Sequence, residues 1–201
     1  QPSENNFIKF QIRGLSKIGI AKEYPGVRVN LIGKIGRTIT PFSIDFGVGD
    51  VIIPSPIERK LPVLLRDFES PEILTYSLES SVADKLDAII SLMEANSRMK
   101  DFYDIYYLAT SFNFEGKKIQ EAIYQTLTNR ETPYEMDSIR VINRLTNNAL
   151  IQQRWKSFCL KILQYELDLT AVVDVIIDFT EPPFQAIVNQ VELSQNWSFK
   201  E

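Results

Sequence analysis

The chain has 201 residues, with 22 Lys+Arg against 26 Asp+Glu, no histidine and one cysteine. Its length fits one domain, or one domain with a helical appendage, and a hydrophobic share of 44% is enough to build a packed core. The missing histidines exclude Ser-His-Asp and Cys-His catalysis and His-ligated zinc, and the lone Cys159 excludes an internal disulfide framework.

The first third reads as strands. Residues 7–13 place Ile8, Phe10 and Ile12 on one side, the two-residue period of a half-buried strand. Tyr24-Pro-Gly26 signals a turn, residues 27–31 alternate again, and Gly33 and Gly36 punctuate the run. Residues 38–46 are strand-prone, and Gly47-Val-Gly-Asp50 closes them. Pro54, Pro56 and Pro62 then argue against a continued strand.

From about residue 78 the spacing becomes helical. Val82, Leu86, Ile89, Ile90 and Met93 form one stripe, and Ser81 with Asp84 reads as an N-cap signal. A second helix is expected over about 99–111, with Phe102, Ile105, Tyr106 and Ala109 inward. Helical stretches over about 116–130 and 137–167 follow, with Trp155 and Phe158 as core and Cys159 as an inert buried thiol. Apolar clusters at 169–179 and 183–193 are interrupted by Pro182-Pro183. Strands first and helices after predict an α+β fold. An incomplete, mostly antiparallel sheet portion is expected over 1–70, with the boundary falling within 57–77, and a helical bundle over 71–201.

Without histidine, any chemistry falls to carboxylates, Lys, Arg, Tyr or hydroxyls, with a hard metal on oxygen ligands. A net charge of −4 argues against a basic nucleic-acid sleeve and permits a local basic groove. No stretch is apolar enough to predict a membrane span. The start carries no basic-plus-apolar leader, so with a single cysteine the expected location is a reducing cytoplasm.

Three constellations could carry that chemistry. Asp45 sits between Ile44 and Phe46, so on a strand it faces opposite to both, where a rigid carboxylate can hold Mg²⁺ or act as a base. The competing reading is a solvent-facing strand residue. Lys85 lies three positions after Val82, at the margin of the apolar stripe, where its ammonium can reach a phosphate. The competing reading is a surface lysine. Arg98, Lys100, Asp101 and Asp104 crowd one helix start, and Asp101 shares a side with Ile105, so it borders the buried face. A charge cluster over an aromatic core explains the same pattern, with Tyr103, Tyr106 and Tyr107 as packing.

Two stretches resemble the AbiEii/AbiGii-type nucleotidyltransferase toxins of abortive infection, within the polymerase β-like nucleotidyltransferase superfamily. One is Tyr24-Pro-Gly-Val-Arg-Val29 with Phe42-Ser-Ile-Asp-Phe-Gly-Val-Gly-Asp-Val51 and Pro54-Ser-Pro56. The other is Tyr76-Ser-Leu-Glu-Ser-Ser-Val-Ala-Asp-Lys-Leu-Asp-Ala88, then Arg98-Met-Lys-Asp-Phe-Tyr-Asp-Ile105, then Ala122-Ile-Tyr-Gln-Thr126 and Arg130. The likeness spans roughly residues 24–130.

The resemblance implies nucleotide transfer from a nucleoside triphosphate to an RNA (perhaps a tRNA end) or protein acceptor, using Mg²⁺, in a toxin–antitoxin system with a cognate antitoxin. It gives Asp45 the part of the third metal-binding acid, Lys85 the triphosphate contact, and Asp101 a place near the nucleotide or as proton acceptor. Asp104, Arg98 and Lys100 become supporting or nucleotide-contacting residues. No Gly-Ser turn with Asp-x-Asp precedes residue 24, so the expectation is a family member shortened at its start, with an enzyme as parent and no transfer by this polypeptide above an Asp45→Ala control. The alternatives are a non-catalytic interaction module on the same fold and a carboxylate-based metal-dependent nuclease.

Overall fold

The computed structural model describes residues 7–18, 26–47, 51–64 and 68–199. The first six residues, the Tyr24-Pro25 part of the turn signal and Val48-Gly-Asp50 of the closing run lie outside them. Antiparallel strands come first and helices after, the α+β class read from the sequence. The chain divides into two compact units, Gln1–Asp50 and Val51–Glu201.

The first unit is a three-stranded antiparallel sheet of β1 (Lys9–Ile18), β2 (Gly26–Ile35) and β3 (Thr38–Phe46), in that order. Gly36 and Arg37 join β2 to β3 in a two-residue turn, with Gly36 at φ 56°, a conformation that a Cβ would strain. That turn fixes the register, and the two-residue period then sorts the faces. Val27 lies opposite Phe46, Val29 opposite Ile44 and Leu31 opposite Phe42, while Ile12 pairs with Leu31 from the other side. Phe10 meets Phe42 edge-on with ring centres 5.8 Å apart. The opposite face is polar, with Asn30 across from Ser43 and Arg28 across from Asp45. The apolar face remains exposed at Phe10, Ile12, Leu15, Ile44 and Phe46.

The second unit begins with a segment that the sequence grouping placed with the sheet. Ile53 packs against the helical core and clasps the start of the first helix. Its N–H donates to Ser80 Oγ at 2.7 Å, and its carbonyl accepts from the hydroxyls of Ser77 and Ser80. A short antiparallel pair follows, β4 (Ile57–Lys60) and β5 (Glu72–Thr75). The prolines argue against a continued strand, and β3 ends at Phe46; β4 is a separate strand whose four residues fit between Pro56 and Pro62 without a proline in the ladder.

Among the described residues, five α-helices form the bundle: α1 (Leu78–Leu92), α2 (Met99–Ser111), α3 (Gly116–Asn129), α4 (Ala149–Phe158) and α5 (Leu169–Val188). One continuous core joins them through Val82, Leu86, Phe102, Ile105, Ile123, Ile151, Val173 and Phe179. The cap of α1 is Ser77, whose side chain accepts from Ser80 N, and not the expected Ser81. The helix expected over 137–167 is broken. A 3₁₀ stretch (Arg140–Asn147) ends at Asn148, whose carboxamide caps α4 by accepting from the N–H groups of Leu150 and Ile151. A π-turn (Cys159–Leu163) then closes on Gln164 in the left-handed region at φ 62°. Conversely, α5 runs through Pro182 and Pro183, where an interruption was expected. A mid-helix proline costs about 3 kcal/mol, and here Phe179, Pro183, Phe184 and Ile187 are all buried on one side, which offsets it.

Candidate functional site

The site is assembled at the meeting of α1 and α2. On α1, the apolar residues Val82, Leu86 and Ile89 are fully buried, and Lys85 emerges at the edge of that stripe with only 22% of its side chain exposed. On α2, Phe102 and Ile105 anchor the inner face, which leaves Asp101 and Asp104, one turn apart, turned toward α1. The loop between the helices is set by the buried Asn96. Its side-chain oxygen accepts from Arg98 N at 2.7 Å, and its carbonyl accepts from Arg154 Nη1 at 2.7 Å.

Lys85 Nζ therefore lies 3.5 Å from Asp101 Oδ1 and 3.2 Å from Asp104 Oδ2. Arg98 Nε stands 3.7 Å from Asp101 Oδ2, and Lys100 Nζ stands 2.6 Å from Asp104 Oδ2. The result is a chain of alternating charge, with three cations around two carboxylates. The residue Asp101 is 7% exposed, and among the described residues its Oδ2 is a buried side-chain oxygen with no hydrogen-bond partner. A buried carboxylate oxygen with an open lone pair is a ready proton acceptor, and an ammonium beside it can balance phosphate charge.

A second cluster fixes the α1 helix itself. Arg130, at the end of α3, donates from Nη1 to Asp87 Oδ2 at 2.8 Å and from Nη2 to Asp84. Asp87 is 5% exposed and also accepts from Thr132 Oγ1 and Ser91 Oγ. Burial pulls the Arg130 guanidinium down, but the hydrogen bond to Asp87 and the two carboxylate charges more than offset it, so its pKa is raised. These contacts bracket Lys85 and hold α1 in rotation. The sequence reading named Asp84, Asp87 and Arg130 without pairing them. The available signal was a carboxylate on the buried side of a helix, which requires a partner.

Asp45 belongs to the first unit. It sits on the polar face of β3, opposite Ile44 and Phe46 as the alternation predicted. Its cross-strand neighbour Arg28 grips it with Nε and Nη2 at 2.6 and 2.7 Å. That fork geometry is a strong carboxylate clamp, and the Arg28 hydrogen bonds hold the carboxyl below its ordinary range. The structure thus gathers Lys85, Asp101, Asp104, Arg98 and Lys100 in one place within the second unit, and sets Asp45 against Arg28 in the first. For Mg²⁺ the described residues do not fit: they contain no group of three or more metal-type side chains, and both oxygens of Asp45 are engaged by a cation.

Comparison with protein families bears directly on this arrangement. A family model described as nucleotidyl transferase AbiEii toxin, type IV toxin–antitoxin system, matches residues 2–190. The chain belongs to the AbiEii family. The match extends beyond the 24–130 stretch that carried the resemblance, so β1, α4 and α5 of this AbiEii chain lie within it as well. No curated protein and no solved structure matches the chain. Among the described residues, no helix is long and apolar enough to cross a membrane.

Two outcomes follow. A lowered carboxyl pKa means that the Arg28–Asp45 contribution is present above the ordinary carboxylate range and is lost as the pH falls through the lowered value. A carbon-detected NMR titration should show the Asp45 midpoint rising into the ordinary carboxylate range in Arg28→Ala; an unchanged midpoint contradicts the clamp. Arg130→Met should lower unfolding stability by about 3 kcal/mol in urea, because it strands the Asp87 charge in the interior.

Proposed function

We propose that the Lys85–Asp101–Asp104 cluster is the triphosphate- and acceptor-handling half of a nucleotidyl-transfer site. The observation that carries this reading is the shared ammonium. Lys85 is held by two carboxylates of α2, and one of them, Asp101, keeps a buried oxygen without a hydrogen-bond partner. In the transfer, an acceptor hydroxyl oxygen bonds to the α-phosphorus of a nucleoside triphosphate, and the bond to the leaving pyrophosphate breaks. Asp101 Oδ2 takes the hydroxyl proton. Lys85 turns toward the phosphates and balances the charge that develops on the leaving group. Arg98 and Lys100, exposed at the α2 start, add positive potential for the triphosphate. The acceptor is RNA or a protein hydroxyl. Both oxygens of Asp45 are held in the Arg28 clamp, and a catalytic role for Asp45 requires Arg28 to release it.

Membership of a type IV toxin–antitoxin family supports a toxin that works opposite an antitoxin. One observation favours a second reading, a non-catalytic module on the same fold: the clamped Asp45 already has a structural partner.

Calorimetric titration with ATP, GTP, CTP and UTP separates the two. Lys85→Ala should weaken triphosphate binding by at least tenfold, the loss expected for one charged contact. Asp101→Asn frees the ammonium from one of its carboxylates and should bind the nucleotide at least as tightly as the wild type. Equal affinity of Lys85→Ala and the wild type, or no binding by either, overturns the transferase reading and leaves the module.

A further inference from the structure

Next to this cluster, the first turn of α2 and one side of α4 enclose an open groove of about 550 Å³. Its α4 wall is formed by Leu150, Gln153, Arg154, Ser157 and Phe158, spaced i, i+3, i+4, i+7 and i+8, so they share one helical face. Arg98 and Lys100 form the opposite rim. No acidic residue lines the groove, although the chain as a whole carries −4.

The cations are not equivalent. Arg98 and Lys100 are mostly exposed and are shared with Asp101 and Asp104. Arg154 is half-buried, and its Nη1 is tied to the Asn96 carbonyl at 2.7 Å, which fixes the guanidinium at the groove wall. A fixed guanidinium with hydroxyl and carboxamide neighbours suits a phosphate oxygen. Apart from Ser97, the remainder of the lining is apolar or aromatic, with Met99, Leu150 and the half-buried ring of Phe158. A free phosphate would leave that part unused, whereas a nucleotide strand places phosphates on the cations and bases on the apolar side. The α4 wall runs from Leu150 to Phe158, about 12 Å of helix, which makes the groove a strip rather than a point.

We infer that this groove is a binding track for a single-stranded phosphodiester chain, with Arg154 as its fixed phosphate contact. Because the groove and the Lys85 cluster share the first turn of α2, a strand lying along α4 ends beside Asp101. That strand is then the acceptor of the transfer, and only the word acceptor rests on the proposed function; the binding itself does not.

The test uses the full chain and two fluorescein-labelled eight-nucleotide strands, an oligouridylate and an oligodeoxythymidylate, read by fluorescence anisotropy across a salt series. Arg154→Gln should weaken binding of the preferred strand about tenfold and reduce the log–log salt slope by about 0.7, the value of one phosphate contact on a single strand. Ser157→Glu puts a carboxylate into the groove at an exposed position and should weaken binding at least as much, with the circular-dichroism melting curve unchanged. It guards against an Arg154 variant that merely loosens the Asn96 loop. Lys156→Gln removes a charge from the same helix outside the groove and should cost less than twofold. Lys85→Ala should leave strand binding intact while triphosphate binding falls, which separates failure here from failure of the transferase reading. Whichever strand binds more tightly identifies the sugar. The inference is overturned if neither strand binds, if Ser157→Glu binds as the wild type does, if Lys156→Gln loses as much as Arg154→Gln, or if polyglutamate displaces the strand at equal charge concentration.

Discussion

The second unit is organised around an ammonium that two carboxylates share. Lys85 reaches Asp101 and Asp104 because α1 and α2 are locked in rotation by different means on either side. Buried aliphatic and aromatic residues fix the inner faces, Arg130 ties Asp84 and the buried Asp87 of α1 to the end of α3, and Asn96 sets the loop from which α2 starts. A half-buried lysine between two acids is expensive to dehydrate unless its geometry is maintained. Neither acid is neutralised fully by Lys85 alone, since Arg98 and Lys100 also draw on them. Such a shared charge can be re-partnered when an anion arrives, and the proposed triphosphate contact rests on that exchange.

Much of this was legible in the chain. Helix α2 begins and ends at the residues that its aromatic spacing predicts, and the border position of Lys85 followed from its distance to Val82. Legibility failed where remote contacts decide. Ser77 rather than Ser81 caps α1, because both Ser77 and Ser80 bond the distant Ile53 carbonyl. Helix α5 crosses two prolines, because its buried face outweighs two missing donors. β4 and β5 were too short for a periodic signal. The Arg130–Asp87 pair joins residues far apart in the chain, so nothing local announced it.

The Arg28–Asp45 clamp is an instructive intermediate case. Its partner could have been found, since pairing back equally from the Gly36-Arg37 turn brings Arg28 opposite Asp45. By alternation alone, Asp45 reads either as a carboxylate able to hold Mg²⁺ or act as a base, or as a solvent-facing strand residue. Reading it with its register makes it first an ion-pair partner on the polar face of a sheet whose other face is apolar. Family membership and local geometry thus inform different things: the family match sets the chain among nucleotidyltransferase toxins, and the geometry says which of its side chains are already paired.

The most direct test of the account observes the Lys85 ammonium itself. In a nitrogen-15 spectrum of the lysine side chains, assigned with Lys85→Arg, addition of a non-hydrolysable nucleoside triphosphate should shift the Lys85 signal as it exchanges carboxylate for phosphate partners. The signals of Lys117 and Lys118, paired with Glu192 and Glu115, should stay in place. A Lys85 resonance that does not move at saturating nucleotide would contradict the account.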